Sequence, residues 1–423
     1  MTASESKGIK VAIVGGGVCG LTCAVALLRR GIHVEVFEAA AQFGEIGAGV
    51  GIGPNATRLL EHLGVLEEVL KETLEPGLTM GPFLFLSGME GHEMLYEYPE
   101  RDHGLGAHRP SFLNAMVKFV DPSITHFNKR CTSVAPSASN PGRTMIHFAD
   151  GTTHEADVVI GADGIKSSVR PYVAGDDASR VIFSNTICYR GLIPMATVRA
   201  AGVTLDFSQS RTSILLGVDR HIVVFPVRGG NLVNVVAFHA DHNAPLGSPQ
   251  LPRDEWVKPV SQQELLDVYA GWGPEVTGLL NCIKTPSKWS IHMVYPPLES
   301  YVKGNVALIG DAAHGMLPHM GAGAGQGMED GYILAQLLAH PQTSNTSLES
   351  VLRAYDRVRR PRAQMVWNGS YNTGKIYDGK GEHGLNADGV KQDIGTRWDD
   401  VWHHEVDDDV TLAVAWLKEI SAC

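Results

Sequence analysis

The sequence predicts an α/β protein with a Rossmann-like dinucleotide-binding domain, an inserted substrate domain built on an antiparallel sheet, and C-terminal helices. Three observations carry this prediction. An apolar run at residues 9–14 leads through a glycine-rich turn into a helix. Short alternating strands replace that pattern over residues 184–239. An apolar run at residues 306–309 then returns the chain to the first domain, and 423 residues suffice for two or three domains.

The predicted domains follow these changes of pattern. The sequence assigns them the ranges 1–75, 100–180 and 290–360 for the cofactor domain, 76–99 and 181–289 for the substrate domain with a mixed or antiparallel sheet, and 361–423 for a C-terminal helical segment. Residues 43–55 are rich in glycine and too irregular for a helix, so they are predicted to be a loop. Residues 371–394 have weak periodicity and are interpreted as a mobile surface segment.

Composition limits the function. An apolar fraction of 44% supports a large core, and a net charge of −11 disfavours a nucleic-acid partner. The N-terminus shows no signal-peptide pattern, and no apolar run approaches the roughly 18 residues of a membrane helix. The six cysteines lack metal-binding spacing, so no metal is expected. A cytoplasmic protein that does not bind membranes is predicted, with monomer and homodimer both left open.

The first glycine turn has the spacing of a dinucleotide site. Gly15, Gly17 and Gly20 match G-x-G-x-x-G between a strand and a helix, which is the arrangement that binds a pyrophosphate at a helix N-terminus. Glu38 ends the following strand, beside Ala39, and is expected to bind a ribose diol. This motif alone does not distinguish NAD from FAD.

Two later segments separate these alternatives. Residues 157–170 contain Asp163 and Gly164, and residues 310–327 contain Asp311 and a glycine-rich stretch. Together with the pair His108-Arg109, they resemble the motifs of single-component, class A FAD-dependent aromatic hydroxylases over residues 9 to about 365. The resemblance implies that FAD is bound by a set of residues that also includes Arg109, Gly321, Gly323, Ala324 and Gly325.

The resemblance also implies a reaction. NAD(P)H is expected to act as cosubstrate without a domain of its own, and O₂ to hydroxylate a phenolic substrate through a flavin C4a-hydroperoxide. Segments such as Tyr189-Arg190-Gly191 and residues 225–228 are most similar to the salicylate hydroxylases, which release CO₂ and form catechol. Hydroxylation of 4-hydroxybenzoate, 3-hydroxybenzoate, 6-hydroxynicotinate or a larger phenol stays open. So does a flavin-binding protein without catalysis.

Four residues are candidates for the substrate site. Arg228 follows a predicted strand and can bind a carboxylate, although it can equally be a surface residue at a hairpin; Arg190 is the second candidate, for the carboxylate or the flavin. His319 follows Pro318 in the predicted flavin-side loop and can accept or orient a phenol proton. The residues interpreted as a possible apolar wall are Phe83, Phe85, Phe238 and Met316, and those interpreted as structural are Trp272 and Trp289.

Overall fold

The computed structural model describes residues 8–44, 49–75, 77, 80–99, 102–175, 180–207 and 211–421. Its strands are β1 (Lys10–Val14), β2 (His33–Phe37), β3 (Gly49–Ile52), β4 (Gly81–Ser87), β5 (Met94–Glu97), β6 (Leu105–His108), β7 (Thr125–His126), β8 (Cys131–Pro136), β9 (Thr144–Phe148), β10 (Thr153–Ala156), β11 (Val158–Gly161), β12 (Val181–Pro194), β13 (Arg211–Leu216), β14 (Arg220–Val227), β15 (Leu232–Ala240), β16 (Val257–Pro259), β17 (Ser287–Val294), β18 (Val302–Lys303) and β19 (Val306–Leu308).

The helices are α1 (Val18–Arg29), α2 (Pro54–His62), α3 (Leu66–Thr73), α4 (Arg109–Val117), α5 (Arg170–Ala174), α6 (Met195–Ala200), α7 (Gln262–Val268), α8 (Pro274–Asn281), α9 (Asp311–His314), α10 (Gly323–Ala339), α11 (Leu348–Lys375), α12 (Ala387–Ile394), α13 (Asp399–Trp402) and α14 (Val406–Ser421). None of the helices in the described ranges combines the length and apolar character that a membrane span requires.

A six-stranded sheet carries the dinucleotide half of the molecule, in the order β18-β19-β11-β1-β2-β7. The strands β19, β11, β1, β2 and β7 run parallel, and only the edge pair β18–β19 is antiparallel. Central strands β1 and β11 are almost fully buried, as their continuous apolar sequences predicted, because helices and the three-stranded sheet β10-β9-β8 pack around them. The carboxyl ends of β1, β2 and β11 therefore meet at one edge.

An eight-stranded sheet forms the other half, in the order β16-β17-β12-β15-β14-β13-β4-β5. All its pairs are antiparallel except β13–β4. One face packs on helices α6, α7 and α8 around a core that includes Leu265, Leu279 and Leu280. The other face is left to the cofactor half and to the C-terminal helices.

Two predicted segments differ from the structure. The predicted loop over residues 43–55 contains β3, which pairs with β6, and the start of α2, whereas residues 45–48 lie outside the described ranges. The interpretation of residues 371–394 as a mobile surface segment is wrong. This stretch continues α11 into a π-helical turn at Ile376–Lys380 and then α12, and Ile376, Tyr377 and Val390 are buried.

The C-terminal helices join the two halves. Helix α11 runs for 28 residues through Pro361 without a break, and the fully buried Trp398 donates its indole N–H to the Met320 carbonyl at 3.0 Å. An aromatic cluster around Trp398 packs against β4 through Phe83 and Phe85. This packing places the end of α11 against the open face of the eight-stranded sheet.

Candidate active site

One cavity of about 810 Å³ joins the glycine turn to the open face of the eight-stranded sheet. Its dinucleotide end is lined by Gly15, Gly17, Glu38, Ala39, Arg109, Arg130, Asp163, Gly164, Asp311, Gly321, Gly323 and Ala324. Its sheet end is lined by Phe83, Cys188, Arg190, Val223, Asn234, Phe238, Trp289, Met316, Pro318, His319 and Tyr377. Segments far apart in the sequence therefore share a single space.

The glycine turn is closed by contacts that a side chain would destroy. Gly15 has a φ of +107°, and a Cβ there would meet the carbonyl carbon of Ala162 at 2.7 Å. A Cβ on Gly20 would run into the carbonyl oxygen of Gly15. Helix α1 begins at Val18, directly after Gly17, so its first N–H groups face the cavity edge. This is a cradle suited to phosphate oxygens.

Glu38 ends β2 beside this turn. Its carboxylate accepts hydrogen bonds from the backbone N–H groups of Gly16 and Ala40, each at 2.7 Å. These two bonds fix the carboxylate at the cavity wall, where an acidic group can receive ribose hydroxyls. Each carboxylate oxygen can accept more than one hydrogen bond, so both retain capacity for a ligand.

Asp163 follows β11, and hydrogen bonds to one of its carboxylate oxygens fix its side chain. That oxygen accepts from the Ser168 N–H at 2.7 Å and the Ser168 hydroxyl at 3.0 Å. The other oxygen, Oδ1, is buried and has no hydrogen-bond partner among the described residues. A buried unpaired acceptor in a cavity wall indicates a missing ligand donor. Arg170 ties this turn to the next one by donating to the Asp311 carbonyl at 3.3 Å.

Asp311 is the first residue of the short helix α9, and the residue before it is a glycine for two reasons. Gly310 has a φ of +58°, and a Cβ there would lie 2.8 Å from the Cys19 sulfur. The loop that follows, residues 315–322, leads into α10 at Gly323, whose first turn presents N–H groups at the cavity. Gly325 does not line the cavity and instead packs α10 against Ala56 of α2.

A buried ionic network supports this region from behind. Glu329 of α10 accepts from Arg362 at 2.7 and 2.9 Å, from Arg359 at 2.7 Å and from the Asn55 amide at 2.6 Å. Burial acts to raise the pKa of Glu329, but the two arginines outweigh it and the net pKa is lowered. The carboxylate therefore stays charged and ties α2, α10 and α11 together.

Asp330 extends the network to the cofactor turn. It accepts from Arg359 at 2.8 Å, from His314 at 2.7 Å and from the Gly310 N–H at 3.0 Å. The Gly310–Asp311 turn is thereby held by side chains from α10 and α11. His314 therefore has a structural role in this network.

Arg190 lies at the sheet end of the cavity, in the middle of β12. Its guanidinium carbon sits 5.1 Å from the centre of the Trp289 ring. No carboxylate among the described residues forms an ion pair with it. Burial lowers the pKa of Arg190, but a guanidinium titrates so high that it stays charged at neutral pH. The cavity thus contains a half-buried cation available to an anionic ligand.

His319 also lines the cavity, from the loop before α10. Its ring centre is 5.1 Å from that of Phe238 and 4.9 Å from that of His221. Burial, with a smaller contribution from His221, lowers the pKa of His319 to about 3. The imidazole is therefore neutral and can accept a hydrogen bond. Pro318 precedes it in the cavity lining.

The chain matches the FAD binding domain model over residues 8–182 and 221–370. It belongs to this FAD-binding family. It is 40% identical to a salicylate hydroxylase of Pseudomonas putida, covering 98% of this chain and 96% of that protein. It is 34% identical to a 6-methylsalicylate 1-monooxygenase of Aspergillus terreus, covering 95% and 89%. A solved salicylate hydroxylase substrate complex superimposes with a TM-score of 0.83 at 32% identity, covering 96% and 98%.

The cavity fits the cofactor of this family. The glycine cradle, the carboxylate of Glu38 and the unpaired oxygen of Asp163 occur together along one wall. The chain is a flavoprotein monooxygenase and FAD is its cofactor, as the sequence motifs predicted. The loop before α10 and the first turn of α10 line the cavity between its dinucleotide end and its sheet end.

The placement expected for Arg228 is wrong. Arg228 lies in an exposed turn after β14, with a φ of +55°, and does not line the cavity. The turn Arg228-Gly229-Gly230 reverses the chain between β14 and β15. The alternative interpretation of the sequence, that Arg228 is a surface arginine at a hairpin, matches its position.

The structure places some of the apolar and aromatic candidates differently from the interpretation of the sequence. Phe83, Phe238 and Met316 line the cavity, whereas Phe85 is fully buried and does not. Trp289, interpreted as structural, lines the cavity under Arg190. Trp272 packs in the core behind the sheet, as interpreted.

Sequence reasoning assigned no role to two polar residues of the wall. Asn234 of β15 accepts from the Gly49 N–H at 3.2 Å, but its amide nitrogen is buried without a partner among the described residues. The Tyr377 hydroxyl is likewise buried and unpaired within that part of the chain. Tyr377 gave no signal in the sequence because its stretch lacks periodicity.

The low pKa of His319 predicts an acid-labile contribution to stability. In the unfolded chain a histidine titrates near 6.5, so between pH 6.5 and 3 only the unfolded state binds this proton and stability falls as pH falls. At pH 5 the loss is about 2 kcal/mol. Urea unfolding at pH 7.5 and 5 measures this loss, and the free energy of unfolding of His319→Gln is expected to fall less between the two pH values than that of the unmodified protein. The exposed His403→Gln is the control, and equal drops in all three proteins would contradict the prediction.

Proposed function

We propose that this monooxygenase uses NAD(P)H and O₂ to convert salicylate to catechol with release of CO₂. One observation carries the proposal: the FAD cradle opens into a largely apolar chamber whose lining includes Arg190, which forms no ion pair with a carboxylate of the described residues, and the neutral imidazole of His319. A hydroxybenzoate has a carboxylate and a phenol, which are the groups these two side chains can bind. The relatives named for salicylate and 6-methylsalicylate support this substrate class.

The roles proposed for the chain's own residues are binding and orientation. Arg190 binds the carboxylate, and its cation–π contact with Trp289 helps to hold the guanidinium in place. His319 accepts a hydrogen bond from the phenol and so orients the hydroxyl group. The apolar side chains around them exclude water from the ring.

Bound FAD supplies the hydride-accepting and oxygen-activating chemistry, which the protein side chains lack. In the proposed reaction the ring carbon that bears the carboxylate gains one oxygen atom of O₂, and the carboxylate leaves as CO₂. The second oxygen atom is reduced to water at the expense of NAD(P)H. Pro318 and residues 321–324 are proposed to form the surface against which the flavin lies.

Arg190→Ala is expected to raise the KM for salicylate by about tenfold to a hundredfold, since a charge-assisted bidentate contact contributes roughly 1.5–3 kcal/mol. FAD content should change little. Arg228→Asn is the matched control because it removes an exposed arginine outside the cavity, and asparagine tolerates the positive φ of that position. Steady-state kinetics with measured flavin content would check both. A raised KM for Arg228→Asn with an unchanged Arg190→Ala would reverse the assignment.

The proposed reaction is tested on purified FAD-loaded protein with NADH or NADPH and salicylate. Catechol, CO₂ and oxidised cofactor should form in equal amounts. Oxidation of NAD(P)H with release of hydrogen peroxide and no catechol would contradict salicylate as substrate, and 4-hydroxybenzoate, 3-hydroxybenzoate, 6-hydroxynicotinate and larger phenols would then be compared. A bound flavin that NAD(P)H does not reduce with any phenol would indicate a non-catalytic flavin-binding protein.

Three expectations from the sequence stay predictions: the bounds of the domains, a cytoplasmic location, and a monomeric or homodimeric state. Size-exclusion chromatography with light scattering distinguishes monomer from dimer.

A further inference from the structure

One polar side chain of the cavity wall has a hydrogen-bond donor without an acceptor among the described residues. Asn234, in β15, is only 3% exposed and lines the cavity. Its Oδ1 accepts the backbone N–H of Gly49 at 3.2 Å, whereas its Nδ2 is buried and unpaired within the described ranges. A buried donor without an acceptor costs free energy, so this amide nitrogen requires an explanation.

The contact with Gly49 fixes the orientation of the amide. Because a backbone N–H can only donate, the atom that faces Gly49 is the amide oxygen, and the NH₂ group of Asn234 points away from it. The Gly49 backbone lies so close that a Cβ there would be 3.0 Å from Asn234 Cγ and 2.7 Å from the Phe225 ring. Strand β3 of the cofactor half therefore holds Asn234 as a donor toward the cavity.

Arg190 lies next to this donor on the same face of the eight-stranded sheet. Strands β12 and β15 are antiparallel, and their register places Leu192 opposite Asn234. Paired residues share a face of the sheet, as do residues two apart in one strand. Arg190 is therefore a diagonal neighbour of Asn234, at a separation that long side chains can bridge. The guanidinium and the amide NH₂ group are two donors side by side.

The surroundings of the two donors favour an anion. Both side chains also line a second cavity of about 240 Å³, so they lie at its boundary with the main cavity. Among the described residues, the lining of the second cavity includes the cation Lys284 and no aspartate or glutamate. The acidic residues that line the main cavity, Glu38, Asp163 and Asp311, belong to its dinucleotide end. The boundary thus offers donors and positive charge, which suit a negatively charged acceptor.

We propose that Asn234 is a substrate-recognition residue whose Nδ2 donates a hydrogen bond to a carboxylate oxygen of the hydroxybenzoate, while Arg190 binds the same carboxylate. This inference rests on the proposed function, because it assumes that the carboxylate of the ligand lies at Arg190. A carboxylate offers two acceptor atoms and satisfies both donors. A carboxamide has one acceptor atom, and its own NH₂ group is opposed by one of the donors. Asn234 therefore makes the site select an acid over its amide.

The test compares two ligands that differ only at this group, salicylate and salicylamide. Isothermal titration calorimetry measures the Kd of each for the oxidised, FAD-loaded protein at pH 7 without NAD(P)H. The unmodified protein is expected to bind salicylate at least about tenfold more tightly than salicylamide, since its contacts with the carboxylate are charge-assisted.

Asn234→Asp retains the size of the side chain and an oxygen for the Gly49 N–H, but it replaces the unpaired donor by a charged acceptor. The Kd for salicylate should increase by about thirtyfold or more, because the two carboxylates repel each other. The Kd for salicylamide should stay within about threefold, because the introduced carboxylate can accept from the carboxamide NH₂ group. The preference for the acid should therefore fall by about tenfold or more.

Asn231→Asp is the matched control. Asn231 lies in the exposed turn before β15, is not a lining residue of either cavity, and donates its amide to the Arg228 carbonyl at 2.8 Å. The same substitution there adds the same charge outside the cavities and should leave both Kd values unchanged.

A merely structural role of Asn234 would weaken the binding of both ligands alike. If Asn234→Asp changes the two Kd values by the same factor, Asn234 does not recognise the carboxylate and the inference is overturned. If this variant does not retain FAD, Asn234→Ala makes the same comparison, with the preference for the acid expected to fall by about fivefold or more. Binding of neither ligand to the unmodified protein would instead contradict the proposed function, and this inference with it.

Discussion

Gly15→Ala is expected to abolish tight FAD binding, with a Kd increased by about a hundredfold or more. The added Cβ would lie 2.7 Å from the Ala162 carbonyl carbon and 3.0 Å from the Asp163 Cα. Both contacts are with backbone, which cannot rotate away, and the φ of +107° adds strain for any residue with a side chain. The turn must therefore open, and the phosphate cradle opens with it.

Absorbance of the purified protein gives the flavin bound per chain, and fluorescence titration of the apoprotein gives the Kd. Gly151→Ala separates strain from collision because Gly151 also has a positive φ, +81°, but no atom lies within 4 Å of its Cβ position. This control should lose some stability and bind FAD normally. Equal flavin content in Gly15→Ala and Gly151→Ala would show that the cradle tolerates the collision.

Glu329→Gln is expected to reduce the free energy of unfolding by about 3–5 kcal/mol, since removing one member of a buried ion pair leaves its partner charged and uncompensated. Here two partners, Arg359 and Arg362, are left without this carboxylate. Arg359 keeps its ion pair with Asp330, so the loss should fall mainly on Arg362. Bound FAD should also decrease, because the network supports the Gly310–Asp311 turn.

Chemical denaturation of the apoprotein and the FAD-loaded protein would measure both effects. Lys258→Gln provides the comparison: its ion pair with Glu255 joins side chains that are 45% and 50% exposed, and such pairs contribute at most about 1 kcal/mol. If the two variants unfold at the same denaturant concentration, the buried network does not stabilise the fold in the way its geometry indicates.

The cofactor half could be predicted from sequence because its motifs encode backbone geometry locally. Gly15, Gly17 and Gly20 fix a turn that only one arrangement of strand and helix can follow, and Asp163 and Asp311 each sit at the end of an apolar strand. The parallel sheet then brings these strand ends to one edge. The relative positions of these strand ends therefore follow from the parallel sheet itself.

The substrate end could not be predicted in the same way. Arg190 and Arg228 both adjoin strands of one sheet, and only the tertiary structure shows which faces the cavity. The placement of Asp378 depends on His221 and His242, which are 157 and 136 positions away in the sequence. A charged residue in a segment of weak periodicity gives no local sign that two distant histidines will compensate its burial.

Helix α11 carries Arg359 and Arg362 near its middle and leads directly into the turn that holds Asp378. Between Arg359 and Lys375 the helix rises about 24 Å, at 1.5 Å per residue. The support of the cofactor turn and the back wall of the substrate chamber thus belong to the middle and to the C-terminal end of one continuous helix. Loss of FAD should accordingly weaken the binding of aromatic ligands, and a bound aromatic ligand should increase the affinity for FAD by the same free energy.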